Sequence, residues 1–285
     1  MTASSRNTGS AILRLTGALL LASGLVHVAV WWVDGSAWAG PVSFRKPVLF
    51  GVSGGLLALS LAWALDALGA RLRRSATWWA WLIGIEVALI TVQAWRRRVS
   101  HFNQDTALDV AIFAAMGGLI LAAWAISLWW TWLIERSRTM PSDRRAAALG
   151  GLVLLHLASA LGVFMSVRGT MVVTAGGAHP ALIGQGSLHL PHAVGIHGFQ
   201  VLLVAWWALR RRGVRARELN RTLGWATVGL VFAFSAALVQ VFMGHAPEAP
   251  TLPAAILLVI GALSFLPAAF ALFGPRLVTP VEVAS

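Results

Sequence analysis

Eight long apolar stretches follow one another along this chain, and they restrict its possible folds more than any other feature. Each stretch is long enough to cross the ~30 Å hydrocarbon core of a bilayer as a helix. The chain is 58% hydrophobic and only 11% charged, which is not the composition of a soluble domain. The stretches occupy residues 11–33, 47–65, 77–95, 107–134, 147–167, 191–209, 222–243 and 253–274.

The joints between these stretches are short and polar or contain glycine and proline. We therefore predict a single all-α polytopic membrane domain over residues 1–285, with eight transmembrane helices. Strand-like alternation of apolar and polar residues is absent, which argues against an outer-membrane barrel. The first stretch is too long for the apolar region of a signal peptide, and we expect it to be a membrane span.

The positive charges predict the orientation of the chain. Sixteen of its 22 lysines and arginines fall in the tails and in the joints on the N-terminal side of the membrane, and six fall on the other side. Because cytoplasmic loops carry an excess of these residues, both termini are predicted to be cytoplasmic. The net charge of +12 thus reflects topology at the lipid bilayer, and nucleic acid is not an expected partner.

The chain contains no cysteine, no tyrosine and fifteen tryptophans. The missing thiols exclude disulfides, thiolate-bound iron–sulfur clusters, thiolate catalysis and covalent haem attachment. Many of the tryptophans stand near the ends of spans, as in the interfacial belts of membrane proteins. We therefore interpret most of them as membrane anchors.

The two halves of the chain, residues 11–134 and 147–274, resemble each other. Residues 47–54 (PVLFGVSG) align without gaps on residues 191–198 (PHAVGIHG), at the start of the second and sixth spans. Each half holds four spans, an even number, so both halves enter the membrane from the same side. We predict a parallel internal repeat about an axis along the membrane normal. Chance similarity between helices rich in Ala, Leu and Trp is the alternative.

Seven of the eight histidines fall on the predicted outer side. His27 and His197 each lie six residues from the outer end of their span, about 9 Å below the boundary. Two imidazoles at matching depth on different helices are candidate axial ligands of a haem b iron, or ligands of a shared metal. The alternative is that each histidine forms a hydrogen bond with a neighbouring helix.

The segment from His189 to Gln200 is the densest polar motif in the chain. On a helix His192 and His197 are about 140° apart and do not share a face, whereas His197 and Gln200 do. The spacing does not match the HExxH zinc motif. We expect His192 at the water interface and His197 pointing inward with Gln200.

Two outer segments add positive charge. Arg45 and Lys46 open the second span, and Arg96-Arg97-Arg98 follows the third. Because the positive-inside rule disfavours cations on this side, they are candidates to hold a haem propionate, an anionic lipid or a small anionic ligand. The alternative is pairing with lipid phosphates and with Asp105 and Asp109.

Further polar side chains in the outer half are predicted to line one outward-opening cavity that binds a substrate. Residues 168–190 form the longest external connection and are its predicted lid. Glu86 and His156 lie near mid-membrane, where ionisable residues are costly, and either belongs to a proton path or the two pair with each other. The candidate substrate-binding residues are Gln93, His101, Asn103, Asp109, His192 and Gln240.

Three motifs resemble those of an uncharacterised bacterial multipass membrane family. They are Arg45-Lys46-Pro47, Ser100-His101-Phe102-Asn103, and the HxxGxHxxQ pattern of residues 192–200. The resemblance spans most of the chain and implies a bacterial cytoplasmic membrane location, but no activity. Members carry Asp-Leu-Arg shortly before HxxGxH, whereas this chain has Ser187-Leu188-His189, which removes an acidic partner for the arginines.

The eight-span plan and the outer histidines also resemble haem A synthase. That family places its ligand histidines on equivalent helices of both halves. Here the second span has Ser53 where the sixth has His197, and the fourth and eighth spans have no histidine. The resemblance is therefore architectural and implies no shared function.

Three functions follow from these patterns. The first is a haem-binding or redox protein, with His27, His197 and Gln200 at the cofactor and Arg45, Lys46 and Arg98 on its propionates. The second is a transporter or a lipid- or anion-binding protein. The third is a metal-dependent intramembrane hydrolase with Glu86 or Asp109 as its base. The sequence leaves open whether the protein is an enzyme and what its oligomeric state is.

Overall fold

A computed structural model describes residues 8–68, 72–177, 187–246 and 248–274. Within these residues the chain forms nine α-helices and no strand. The helices are α1 (Thr8–Asp34), α2 (Arg45–Leu65), α3 (Arg73–Trp95), α4 (Ala107–Glu135), α5 (Ser142–Thr174), α6 (His189–Arg211), α7 (Ala216–Phe242), α8 (Leu252–Ser264) and α9 (Leu266–Phe273).

Eight helical segments in the described part of the chain are long and apolar enough to cross a membrane, with α8 and α9 together forming the last. The prediction of an all-α membrane protein with eight spans is confirmed. The fifth helix is longer than the predicted span, because it begins at Ser142. Asp143 lies in its first turn, where a carboxylate stabilises the helix N-terminus.

The last predicted span, residues 253–274, is divided into two helices. Phe265 separates α8 from α9, and Pro267 lies two residues later in the first turn of α9. Proline has no backbone N–H to donate, and its ring collides with the carbonyl four residues earlier, so a helix breaks before it. The apolar pattern predicted the span correctly but not this break.

The same helix pairs form contacts in each half of the molecule. In the first half α1 packs along α2, and α3 contacts α1, α2 and α4. In the second half α5 packs along α6, and α7 contacts α5, α6 and α8. The halves meet where α2 contacts α6 and where α4 contacts α5.

The closest helix packing, between α1 and α2, depends on glycines. A Cβ atom on Gly51 would lie 2.8 Å from the Gly24 Cα, and one on Gly55 would lie 2.9 Å from the Gly17 carbonyl oxygen. Helices in membranes associate through such small residues, because their backbones can approach closely. This contact fixes the start of α2, and with it the side chains of Arg45 and Lys46.

Ion pairs show that consecutive spans run in opposite directions. Arg14 of α1 lies 2.9 Å from Asp66, which follows α2, and Arg144 of α5 lies 3.8 Å from the same carboxyl group. These residues mark the arginine-rich end of the bundle. Asp34 and Arg97 pair at the opposite end, where α1 finishes and α2 begins, which we call the motif end.

Candidate functional site

Two of the motifs are joined at the motif end. The Lys46 Nζ donates a hydrogen bond to the Ser100 Oγ at 3.1 Å, and the Ser100 Oγ lies 2.9 Å from the His101 Nδ1. Because an ammonium group can only donate, Ser100 accepts from Lys46, and its hydroxyl shares a second hydrogen bond with His101. The segments Arg45–Pro47 and Ser100–Asn103 therefore form one hydrogen-bonded network.

The start of α6 brings the third motif to the same place. His197 of this motif lies 3.4 Å from Ser53 (Nε2 to Oγ) on α2, the helix that Arg45 and Lys46 open. Both α2 and α6 begin at this end, and the positive ends of their helix dipoles face the same region. All three motif segments thus converge there.

Contacts along α2 and α6 show that the two helices run parallel. Residue numbers rise along both helices from the motif end to the arginine-rich end: each later residue of α2 contacts a later residue of α6. Ser53 contacts His197 (Oγ to Nε2, 3.4 Å), Ser60 contacts Gln200 (Oγ to Nε2, 2.9 Å), and the rings of Trp63 and Trp206 lie 4.7 Å apart.

Each arginine of the triplet 96–98 has an aspartate partner, which is the alternative that the sequence left open. The sequence did not indicate Asp34 as one of these partners, because it lies at the end of a different helix. Its carboxylate raises the pKa of Arg97 through their hydrogen bonds. The pairs are Arg96–Asp109 at 2.9 Å, Arg97–Asp34, and Arg98–Asp105 at 3.5 Å.

Arg45 and Lys46 differ from the triplet in this respect. Neither forms an ion pair with any carboxylate in the described part of the chain. Both side chains are half-buried, and Lys46 lines a narrow crevice together with Arg98 and Ser100. Two cations at the motif end are therefore left without a neutralising partner.

The loop after α3 is held rigidly against its neighbours. The His101 ring lies 5.6 Å from that of Phe50 in α2, and Phe102 packs onto Gly169 of α5, where no Cβ would fit. The Asn103 Nδ2 donates to the Val99 carbonyl at 2.9 Å. Phe102 adopts a φ of 60°, a strained value for a bulky residue that this packing maintains.

His27 is enclosed by α2 and α3, and both of its ring nitrogens are occupied. Its Nδ1 lies 2.8 Å from the Ser23 carbonyl oxygen, and its Nε2 accepts a hydrogen bond from the Trp95 Nε1 at 3.2 Å. A carbonyl only accepts and an indole only donates, so the ring is the neutral Nδ1–H tautomer. Coordination of iron through Nε2 would require the loss of the Trp95 bond.

His197 and His192 have partners of their own. No hydrogen bond or ring contact joins His197 to His27 within the described residues, and α2 packs against both of their helices. The His192 Nδ1 donates to the Ala158 carbonyl at 2.9 Å, so this ring lies against α5, and its place at the water interface stays a prediction. These contacts do not favour haem ligation, which stays a prediction.

Gln93 and Gln240 each hold the loop that follows their own helix. The Gln93 Nε2 donates to Asp109 at 2.9 Å, and the Gln240 Nε2 donates to the carbonyl of Ala246 at 2.7 Å. Both glutamines are buried in separate halves of the molecule. Neither glutamine forms a hydrogen bond with His197 among the described residues, and residues 178–186 of the predicted lid lie outside them.

A line of polar groups follows the contact between α2 and α6 into the membrane. Below His197, the Gln200 Nε2 donates to Ser60, while its Oε1 is buried without a hydrogen-bond partner. Towards the arginine-rich end, the Trp206 Nε1 donates to Asp143 at 2.9 Å. The sequence did not indicate Ser60, because a serine that also donates to its own helix has no distinguishing pattern.

Glu86 and His156 do not pair with each other. The His156 Nδ1 accepts from Trp124 at 3.1 Å, and its Nε2 lies 2.8 Å from the Thr131 Oγ1. The Thr131 hydroxyl donates to a backbone carbonyl, so the His156 Nε2–H is the donor of this second bond. His156 thus joins α5 to α4 as a neutral imidazole.

Comparisons with known proteins returned no match to this chain from family models, curated proteins or solved structures. Within the described residues, no group of three or more His, Asp or Glu side chains is placed to hold a metal ion. A function for the motif end is therefore inferred from the positions and partners of its side chains.

Proposed function

We propose that this multipass membrane protein binds an anion, a carboxylate or phosphate group, between the starts of α2 and α6. The observation that carries the proposal is that Arg45 and Lys46 pair with no carboxylate among the described residues, although every arginine of the neighbouring triplet does. An arginine fork and a lysine ammonium beside two helix N-termini form a favourable anion site.

The polar groups along α2 and α6 favour transport as the role of this site. Ser53 with His197, and Ser60 with Gln200, continue inward from the two cations. Secondary transporters bind their substrates between structural repeats near the middle of the membrane. In this proposal the Gln200 Oε1 accepts a hydrogen bond from the ligand during its passage.

We further propose that the halves are a parallel repeat, that both termini are cytoplasmic, and that the chain belongs to the bacterial family defined by the three motifs. The equivalent helix pairs in each half and the contact between Ser53 and its counterpart His197 support the repeat. The convergence of the three motifs at one end supports the family and its cytoplasmic-membrane location. The arginine and lysine distribution supports the orientation.

Haem binding is a second candidate with weaker support. His197 has only a long hydrogen bond to Ser53, but the His27 nitrogens are both occupied. If His197 binds haem, the purified protein will show a Soret band that His197→Ala removes. The metal-dependent hydrolase has no support from the placement of Glu86 or Asp109, since Asp109 is held by Arg96 and Gln93.

The anion site is tested by binding to protein reconstituted in phosphatidylcholine nanodiscs. Inorganic phosphate is titrated by calorimetry, and phosphatidylglycerol adducts are counted by native mass spectrometry. Arg45→Gln and Lys46→Gln should each weaken binding about tenfold, because a hydrogen bond to a charged group contributes about 1.5–3 kcal/mol. Binding of inorganic phosphate indicates that the ligand is a soluble anion. Phosphatidylglycerol adducts without phosphate binding indicate that the ligand is a lipid headgroup.

Arg168→Gln is the matched control. Arg168 precedes Gly169, which contacts Phe102, so it carries the same charge at the same end of the bundle. It is exposed on α5 and forms no ion pair with any described residue. Equal losses in all three variants would mean that anions are attracted to the surface in general, which would contradict the proposal.

A further inference from the structure

Glu86 is a carboxyl group in the middle of α3 with no partner. Its side chain is only 6% exposed, and it forms no hydrogen bond or ion pair with any described residue. It lies nine residues from the end of α3 at Trp95, about 14 Å along the helix axis. Nothing in the proposed anion site uses it.

Two other residues of α3, one before Glu86 and one after it, show which neighbouring helix Glu86 faces. Trp79 packs against Trp130 of α4, and Gln93 forms its hydrogen bond with Asp109 of α4. Glu86 lies on the same side of α3 between these two contacts, seven residues or about two helical turns from each. It therefore faces the apolar middle of α4, where residues 110–129 contain no ionisable side chain.

The other helices that pack against α3 also offer no compensating charge at this level. Gly54 of α2 lies beside Ile83, about one turn before Glu86, and beside Val87, the residue that follows Glu86. Every ionisable group on the three packed helices lies nearer an end of its helix or is already engaged by another side chain. These groups are Arg14, His27 and Asp34 on α1, Arg45 and Lys46 on α2, and Asp109 and Glu135 on α4.

We propose that Glu86 is a proton-binding site inside the membrane and holds its proton at neutral pH. An ionised carboxylate enclosed by apolar atoms without a partner carries a large desolvation cost, whereas the neutral acid does not. The site is independent of Arg45 and Lys46 and of the anion that they bind. Its ligand is the proton, and its modifying reagents are hydrophobic carbodiimides.

Carbodiimides test this directly, because they react with protonated carboxyl groups. The carboxyl oxygen bonds to the central carbon of the reagent, the carboxyl proton moves to a reagent nitrogen, and no group leaves. Dicyclohexylcarbodiimide should modify wild-type protein in liposomes at Glu86 at neutral pH, as mapped by peptide mass spectrometry. Modification should fall as the pH is raised, and Glu86→Gln should abolish it.

Asp109 is the internal control. It is fully buried at the motif end, but it pairs with Arg96 at 2.9 Å and should stay unmodified in the same sample. Infrared spectra provide a second readout, a protonated-carboxyl band at neutral pH that is absent from Glu86→Gln and present in Asp109→Asn. Absence of modification, equal modification of Asp109, or persistence of the band in Glu86→Gln would overturn the proposal. If Glu86→Gln does not fold, the wild-type peptide map decides alone.

Discussion

Some cations at the motif end are neutralised by a carboxylate and others are not, because the side chains that contact them differ. Arg96 meets the buried carboxylate of Asp109, while Lys46 meets only the hydroxyl of Ser100. The resemblance described from the sequence implies an aspartate where this chain has Ser187, which lies beside His189 at the start of α6. The loss of that carboxylate would leave Arg45 and Lys46 free for an external anion.

Restoring a carboxylate at this position should therefore weaken anion binding. The Ser187 Oγ lies 2.5 Å from the His189 Nδ1, so an aspartate there would be placed close to the cations. We expect Ser187→Asp to reduce phosphate or lipid affinity about tenfold, since it both neutralises the site and repels the ligand. The measurement is the nanodisc titration used for Lys46→Gln.

Ser187→Asn separates charge from size at the same position. Asparagine has nearly the shape of aspartate and can keep a hydrogen bond to His189, but it carries no charge. Its affinity should stay within about twofold of wild type. Equal weakening by both substitutions would show that the shape of the α6 start matters and its electrostatics do not.

At the scale of helices, the contact between α2 and α6 determines which polar groups meet. It places Ser53 against His197 and Gln200 against Ser60. The sequence indicated that His197 and Gln200 share a face of α6, and the structure has both on the face towards α2. The sequence could not predict that α2 is the neighbouring helix, because a polar face does not specify which helix packs against it.

A cysteine pair tests this helix contact, and the chain has no cysteine of its own to interfere. Ser53→Cys combined with His197→Cys should be joined in the membrane by a short bis-thiosulfonate reagent, because the two native side chains are 3.4 Å apart. Cross-linking is measured as joined peptides after proteolysis. A high yield, with most of the protein joined, is expected.

Ser53→Cys with Thr227→Cys is the matched control pair. Thr227 on α7 faces Gly150 of α5 and not α2. This control pair should yield little joined peptide under the same conditions. Similar yields for the two pairs would mean that the reagent captures random collisions, and the parallel contact between α2 and α6 would lose its support.

At the scale of the whole molecule, the two ends of the bundle differ in charge and in chemistry. The arginine-rich end joins α1, α2, α5 and α6 through Asp66 and Asp143. Arg212 donates to the Gly274 carbonyl at 2.8 Å, so the end of α9 lies there as well. The positive-inside rule predicts that this end is cytoplasmic, and the proposed anion site would then face outside.

Impermeant thiol reagents test the orientation in intact cells. A cysteine replacing Ala37, exposed between α1 and α2, should react from outside. A cysteine replacing Ala216, exposed at the start of α7, should react only after the membrane is opened. The reverse pattern would place Arg45 and Lys46 in the cytoplasm, and the ligand would then be an intracellular anion.

The sequence by itself determined the eight spans and their alternating directions, because the apolar length of a membrane helix is a local property. It also identified Arg45, Lys46, His101 and Glu86 as polar residues in unusual places. Pro267 was visible in the sequence, yet its effect on the last span required the backbone geometry around Phe265.

Only the tertiary structure decided which polar residues are engaged and which are left over. Arg97 is paired because α1 ends beside the loop after α3, and Lys46 is unpaired because its neighbour there is a serine. His27 of α1 accepts a hydrogen bond from Trp95 because the end of α3 packs beside it. Pairing depends on contacts between helices that are distant in sequence, and a hydropathy pattern contains no information about which helices are neighbours.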